Sequence, residues 1–171
     1  MAMPSSLVLV GAGKMGGALL EGWLKLGVPA AAVTVLDPSP SAAMKTLCEE
    51  RGVRLNPPKG EIAPPQTLVL AVKPQTFNAA APDVAAMIGP DTLIVSVMAG
   101  KTIADMKQRL SAKAVVRAIP NTPAAVGRGV TAAAACPNVS AVQRAAADAL
   151  LSAVGRMEWV DDEALIDAVT A

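Results

Sequence analysis

The sequence predicts an α/β fold, a doubly wound, mostly parallel sheet with helices on both faces. Short all-apolar runs such as Leu7-Val8-Leu9-Val10 read as strands buried on both sides, and they alternate with stretches whose apolar residues recur at helical spacing. The 171 residues, 53% of them hydrophobic, suffice for one core, so residues 1–171 are expected to form one domain. The apolar content is mostly Ala, Val, Leu and Ile, with Trp23, Phe77 and Trp159 as the aromatics. Small and branched side chains suit helices laid closely on a parallel sheet.

The first strand, Leu7 to Val10, runs into glycines and then into a helix from Lys14 to Leu26 that Gly27 stops. A strand from Ala32 to Leu36 is closed by Asp37-Pro38-Ser39-Pro40, and a helix from Ser41 to Arg51 ends at Gly52. A short strand near Val53 to Leu55 precedes a surface connection, Asn56 to Pro65. Strands then follow at Thr67–Val72, Thr92–Val97 and Ala114–Ile119, separated by helices at Thr76–Ile88 and Ile103–Leu110. A further strand at Val130–Ala135, a helix at Ser140–Val154, a last strand at Met157–Val160 and a helix at Asp161–Val169 complete the series. Right-handed crossovers between parallel strands place ligands at the carboxyl ends of the strands, where strand order reverses.

Several function classes are excluded on composition. The formal charge is +1, with no basic face and no Tyr for stacking bases, so nucleic acid is not an expected partner. Cys48 and Cys136 form no C-x-x-C pair and the chain has no His, so no metal site is expected and both thiols are taken as reduced and structural. Met1 to Ser6 has no signal-peptide pattern, and no apolar run reaches the roughly 18 residues of a membrane helix. The expected location is the cytoplasm.

The segment Gly11-Ala12-Gly13-Lys14-Met15-Gly16 lies between strand and helix. There the first glycine permits a tight turn, the second lets backbone approach a pyrophosphate, and the third lets helix pack on strand. No G-K-[ST] follows at the spacing of a Walker loop. Asp37 ends the second strand about 20 residues on, where a carboxylate accepts from ribose hydroxyls, although an Asp before Pro38 also starts a turn or caps a helix. No Arg stands nearby for a 2′-phosphate, but Ser39, Ser41 and Lys45 are at hand.

Further along, Ala71-Val72-Lys73-Pro74-Gln75 leaves a strand with Lys73 placed beside a ribose or pyrophosphate, or simply solvated. Met98-Ala99-Gly100 would let a flat ring approach the backbone, and would equally suit a tight turn. In Arg117 to Gly127, prolines bracket Asn121 and Thr122, which either hydrogen-bond a carboxamide or hold an ordered water there, or form a turn capped by the prolines.

Together G-A-G-K-M-G, A-V-K-P-Q, S-V-M-A-G-K-T-I and R-A-I-P-N-T-P-A-A-V-G-R-G-V-T, in this order and spacing, resemble the pyrroline-5-carboxylate reductase family across essentially the whole chain. Lys14 and Met98 depart from the family's usual Asn and Ala. The resemblance implies a Rossmann-type dinucleotide-binding domain and NADP(H) or NAD(H) as cofactor. It implies reduction of 1-pyrroline-5-carboxylate to L-proline by hydride transfer from nicotinamide C4 to the imine carbon, the last step of proline biosynthesis. It also implies that a helical C-terminal domain, expected after residue 171, makes a homodimer or larger oligomer and most of the substrate site. This chain would then be the cofactor half, inactive alone. The expected cofactor residues are Gly11, Ala12, Gly13, Lys14, Met15, Gly16, Asp37, Ser39, Ala71, Val72, Lys73, Pro74, Met98, Ala99, Gly100, Asn121, Thr122 and Pro123. No catalytic residue is assigned. Two other readings stay open, another small-substrate dehydrogenase (β-hydroxyacid or deazaflavin-linked) and a non-catalytic nucleotide-binding module.

Overall fold

A computed structural model of the chain describes residues 3–121, 123–124 and 127–169. The strands are β1 (Leu7–Val10), β2 (Val33–Leu36), β3 (Arg54–Leu55), β4 (Thr67–Leu70), β5 (Leu93–Ser96), β6 (Ala114–Pro120), β7 (Gly129–Ala135) and β8 (Gly155–Trp159). The α-helices are α1 (Lys14–Lys25), α2 (Ala42–Arg51), α3 (Phe77–Ala85), α4 (Ile103–Leu110), α5 (Ala141–Leu151) and α6 (Ala164–Val169). The strands form one sheet in the order β3-β2-β1-β4-β5-β6-β7-β8. Order therefore reverses between β1 and β4.

Neighbouring strands are parallel except β6 and β7, which run antiparallel with Ala118 opposite Ala133. An all-parallel crossover does not fit there, because the connection between Pro120 and Gly129 is shorter than the dozen or so residues a parallel return requires.

Helix boundaries follow local hydrogen bonding. Ser41, Thr102 and Ser140 each accept the backbone N–H three residues on, and in α4 and α5 Asp105 and Gln143 complete capping boxes. Most elements differ from the sequence reading by one to three residues at their ends, and four of these differences have a local cause. Past Ala85, Met87 and Ile88 bond three residues back, so α3 tightens before Ile88. The last turn of α5 likewise becomes a 3-10 turn at Ser152–Val154. A 3-10 turn at Ala30–Ala32 delays β2 to Val33. Asp162 spends its carboxylate on the N–H of Ala164, and α6 starts there and not at Asp161.

Alternate strand residues feed two cores. Leu7, Leu9, Val33 and Val35 pack under α1, α2 and α5 with Leu19, Trp23, Met44 and Leu150. Val8, Val10, Leu68 and Leu70 pack under α3, α4 and α6 with Phe77, Met106 and Ile166. Trp23 is fully buried and its Nε1 donates to the Leu150 carbonyl at 2.9 Å, giving a partner to an acceptor in the last turn of α5. Cys48 and Cys136 are free and buried, and burial pushes the Cys48 thiol up, away from reactivity. Among the described residues no helix is long and apolar enough to cross a membrane.

Among the described residues one charged side chain is buried, Arg117 of β6, at 1% exposure. Its Nη2 donates to Asp167 Oδ1 at 2.5 Å and its Nη1 to Glu163 Oε1 at 3.2 Å, pinning α6 to the sheet. The hydrogen bond from Arg117 holds the Asp167 carboxyl below its ordinary value of 3.8, aided by the guanidinium charge and opposed by desolvation. A depressed folded-state value makes this contribution full above the ordinary value and lost as pH falls through the lowered one. Asp167→Asn is therefore expected to lower the urea midpoint at about pH 7 more than in acid, the difference narrowing as the pH falls far enough to protonate the wild-type carboxyl. Equal losses at neutral pH and in acid would show that Asp167 adds nothing electrostatic.

Candidate functional site

The strand ends that flank the reversal are held level by backbone bonds. Gly11 donates to Leu36 O at 2.8 Å, Ala71 to Val10 O at 2.8 Å and Val97 to Leu70 O at 2.9 Å. The glycine loop and the loops after β4 and β5 thus leave the sheet side by side, at the crevice expected of a doubly wound fold.

The three glycines do different work. Gly11 has φ +90°, and a Cβ there would lie 2.8 Å from the Ala71 carbonyl and Val72 N. A Cβ on Gly16 would lie 2.0 Å from Gly11 O, so α1 is pressed against the end of β1. Around Gly13 nothing stands within 4 Å, so its missing side chain serves open space and not packing. That space adjoins the start of α1, which has no side-chain cap and no acid in its first turn. The first-turn N–H groups, beside exposed Lys14 and half-buried Met15, lack intrahelical acceptors. With the helix dipole they suit a diphosphate, so these residues fit a dinucleotide.

Asp37 is placed at this site but is already in use. Its Oδ2 accepts from Ala12 N at 2.7 Å and its Oδ1 from Ser39 N at 2.8 Å, so the carboxylate ties the glycine loop to the turn after β2. The turn-forming alternative is therefore realised, and a ribose hydroxyl would use the remaining lone pairs. Asn56, assigned from sequence to a surface connection, fixes Asp37 in turn. Its Nδ2 donates to Asp37 O at 2.8 Å, its Oδ1 accepts from Asp37 N at 2.9 Å, and its own N donates to Val35 O at 2.8 Å. Asn56 has φ +48°, a left-handed conformation that Asn tolerates. An Asn between a strand and a Pro-Pro pair was the available signal.

Ala71, Val72 and Pro74 are half-buried and Lys73 is exposed, its carbonyl accepting from both the N–H and the hydroxyl of Thr76 at 2.9 Å. Ala99 and Gly100 are exposed, and Gly100 has φ +65°. The Met98 side chain is 1% exposed and belongs to the core, leaving its backbone for a ligand. Asn121 Oδ1 accepts from Val130 N at 2.9 Å, so its NH2 is the group it can offer a carboxamide. Pro123 is exposed beside it, and Thr122 lies outside the described residues. Two cavities, of about 550 Å³ near Lys113 and Gln143 and about 480 Å³ beside Trp159, lie away from these loops.

Comparison with known proteins bears on this site. Residues 6–100 match the family described as "NADP oxidoreductase coenzyme F420-dependent". The pyrroline-5-carboxylate reductase of Pseudomonas aeruginosa is 40% identical over 167 residues, covering 96% of this chain and 61% of that protein. The structure of a pyrroline-5-carboxylate reductase from Coxiella burnetii superposes with a TM-score of 0.89 at 25% identity, covering 98% of this chain and 63% of the other. The Plasmodium falciparum pyrroline carboxylate reductase with NADP bound shares the fold, with a TM-score of 0.79 at 20% identity over 96% of this chain and 60% of the other. The chain thus spans about three fifths of the length of the relatives it matches.

The glycines separate folding from binding. Gly16→Ala is expected to destabilise the chain by about 1–3 kcal/mol or more through overpacking. Gly13→Ala is expected to leave the melting temperature within a few degrees and weaken dinucleotide binding about tenfold. Thermal melts and titration with NADPH or NADH check both, and a Gly13→Ala chain that binds normally would remove the loop from the site.

Proposed function

The chain belongs to the family of NADP oxidoreductases that its residues 6–100 match, and on that premise we propose that it is the cofactor-binding part of a reductase of 1-pyrroline-5-carboxylate, acting with NADPH or NADH. The supporting observation is the meeting of four loops, after β1, β4, β5 and β6, at one edge of the sheet. The family match ends at Gly100, whereas the 40% identical relative spans 96% of the chain and so extends past the Asn121 loop. This favours an imine substrate over the second coenzyme in the family's description.

In this reading the first-turn N–H groups of α1, with Gly11, Ala12, Gly13, Lys14, Met15 and Gly16, hold the diphosphate. Asp37 and Ser39 lie at the adenosine ribose, and Ala71, Val72, Lys73 and Pro74 border the middle of the cofactor. The backbone of Met98 to Gly100 and the loop of Asn121, Thr122 and Pro123 take the nicotinamide. When bound, the dinucleotide supplies the hydride. The chain contributes orientation of the dinucleotide toward the second reactant. A second, helical domain would complete the substrate site and make a homo-oligomer, and the enzyme would work in the cytoplasm.

The complete gene product, given 1-pyrroline-5-carboxylate with NADPH or NADH, is expected to oxidise at least one cofactor, followed as loss of nicotinamide absorbance. No oxidation of either would overturn the reading. The 171-residue chain alone is expected to bind cofactor with little turnover.

Asp37→Ala is expected to raise KM for both cofactors several-fold, because the Ala12 N–H loses its acceptor. It is also expected to move the NADPH to NADH preference toward NADPH, because a negative charge leaves the ribose end. Asn56→Ala is expected to raise both KM values without changing their ratio, since it acts through the Asp37 backbone. Steady-state KM values for the two cofactors decide both points.

A further inference from the structure

Behind the loop that follows β5 lies a charge network with no part in the site as described. Arg117 is opposite Ser96 on one side and Ala134 on the other, so it lies across the face covered by α4 and α6. Its guanidinium reaches Glu163 and Asp167, and its buried Nε has no partner among the described residues. Glu163 has a second task. Its Oε1 also accepts from Ile103 N at 2.7 Å, the first amide of α4, which no intrahelical carbonyl can serve. One carboxylate oxygen thus joins β6, the start of α4 and α6.

The segment governed by that bond is short. Between Ser96 and Ile103 lie six residues, and the near end is fixed by the buried Ser96, whose Oγ accepts from Met98 N at 3.3 Å. Thr102 and Asp105 form a local capping box, but that box moves with the helix. Core packing of Ile103 and Met106 holds α4 on the sheet without direction, and the bond to Glu163, 60 residues away, adds a directional polar tie at the far end of the loop. A packed apolar trio would serve stability at least as well as a buried cation with an unpartnered nitrogen, so stability alone does not account for the network.

We propose that the Arg117–Glu163–Asp167 network is a positioning device for the nicotinamide-side loop, residues 97–102, with Glu163 as the positioning residue. The proposal rests on the reading that Met98 to Gly100 faces the nicotinamide. Arg117, at 1% exposure, is not itself a ligand-contacting group. The charges set where the exposed backbone of Ala99 and Gly100 stands relative to the glycine loop, and α6 becomes the element through which anything docked on it is felt at the site.

The test separates the two halves of the cofactor. In the complete gene product, Glu163→Gln and Glu163→Ala are titrated calorimetrically with NADPH, with NADH and with ADP-ribose, which is NADH without its nicotinamide. The expected result is weaker binding of the whole dinucleotide, about fivefold for Gln and tenfold or more for Ala, with ADP-ribose affinity within about twofold of wild type. Asp167→Asn should follow in the same direction with a smaller effect, and it stands in if Glu163→Ala does not fold. Parallel loss of both ligands would mean a merely structural role and overturn the proposal, as would unchanged binding of both or a wild type that does not distinguish them. No imine substrate enters these titrations. A reductase assay that fails while the split holds therefore counts against the substrate reading alone.

Discussion

The contact on which the rest of the site depends is the one between glycine backbones at the end of β1. With no side chain on Gly16, α1 descends until its first turn touches Gly11 O, where a Cβ would lie 2.0 Å away. With positive φ at Gly11, the chain turns within van der Waals range of the Ala71 carbonyl on the neighbouring strand. Close approach in both directions aims the uncapped start of α1 at the crevice between β1 and β4, where parallel strands end level and the sheet order reverses. A methyl at either position would lift the helix or the loop and take the uncapped amides with it. The three hydroxyl-capped helices, α2, α4 and α5, have no such opening.

Much of this was legible in the sequence because it is written in local residues. The strand runs, the hydroxyls at Ser41, Thr102 and Ser140 and the glycines at 27 and 52 act within a few positions of themselves, and α4 was bounded correctly at both ends. The glycine loop belongs to the same class. What was not legible depends on partners far apart in sequence. Asn56 meets Asp37 across 19 positions and Arg117 meets Glu163 across 46, and nothing near either residue announces the other. The burial of the Met98 side chain is of the same kind, since the core that encloses it is assembled from β4, α3 and α4. The antiparallel turn of β7 follows from connection length, a quantity visible in the sequence once both strand ends are fixed.

The two ends of the crevice are therefore held by different physics. At the Asp37 end the device is a chain of short hydrogen bonds, between Asn56 and the Asp37 backbone and from the Ala12 and Ser39 N–H groups to the Asp37 carboxylate. Each link is modest, and a carboxylate receiving backbone amides gains orientation more than energy. At the other end the device is a buried cation, whose desolvation makes its position stringent. Burial works against the Arg117 charge, and the hydrogen bonds and charges of Asp167 and Glu163 outweigh it, so that its pKa is held above the ordinary value. An ion so placed has few alternative positions, because any shift that breaks one of its bonds leaves charge unpaired in an apolar layer.

This asymmetry fits the demands on the two halves of a dinucleotide. Binding the adenosine diphosphate portion tolerates small displacements, because phosphate recognition by a helix start is spread over several amides. Placing a ring for transfer to a second reactant does not, since a misplacement of about 1 Å can cost about a hundredfold in rate. In the proposed reading the buried cation stands behind the loop whose position matters more. It is also the anchor that reaches α6, so the element that closes the described fold and the loop nearest the proposed chemistry share a single carboxylate, Glu163.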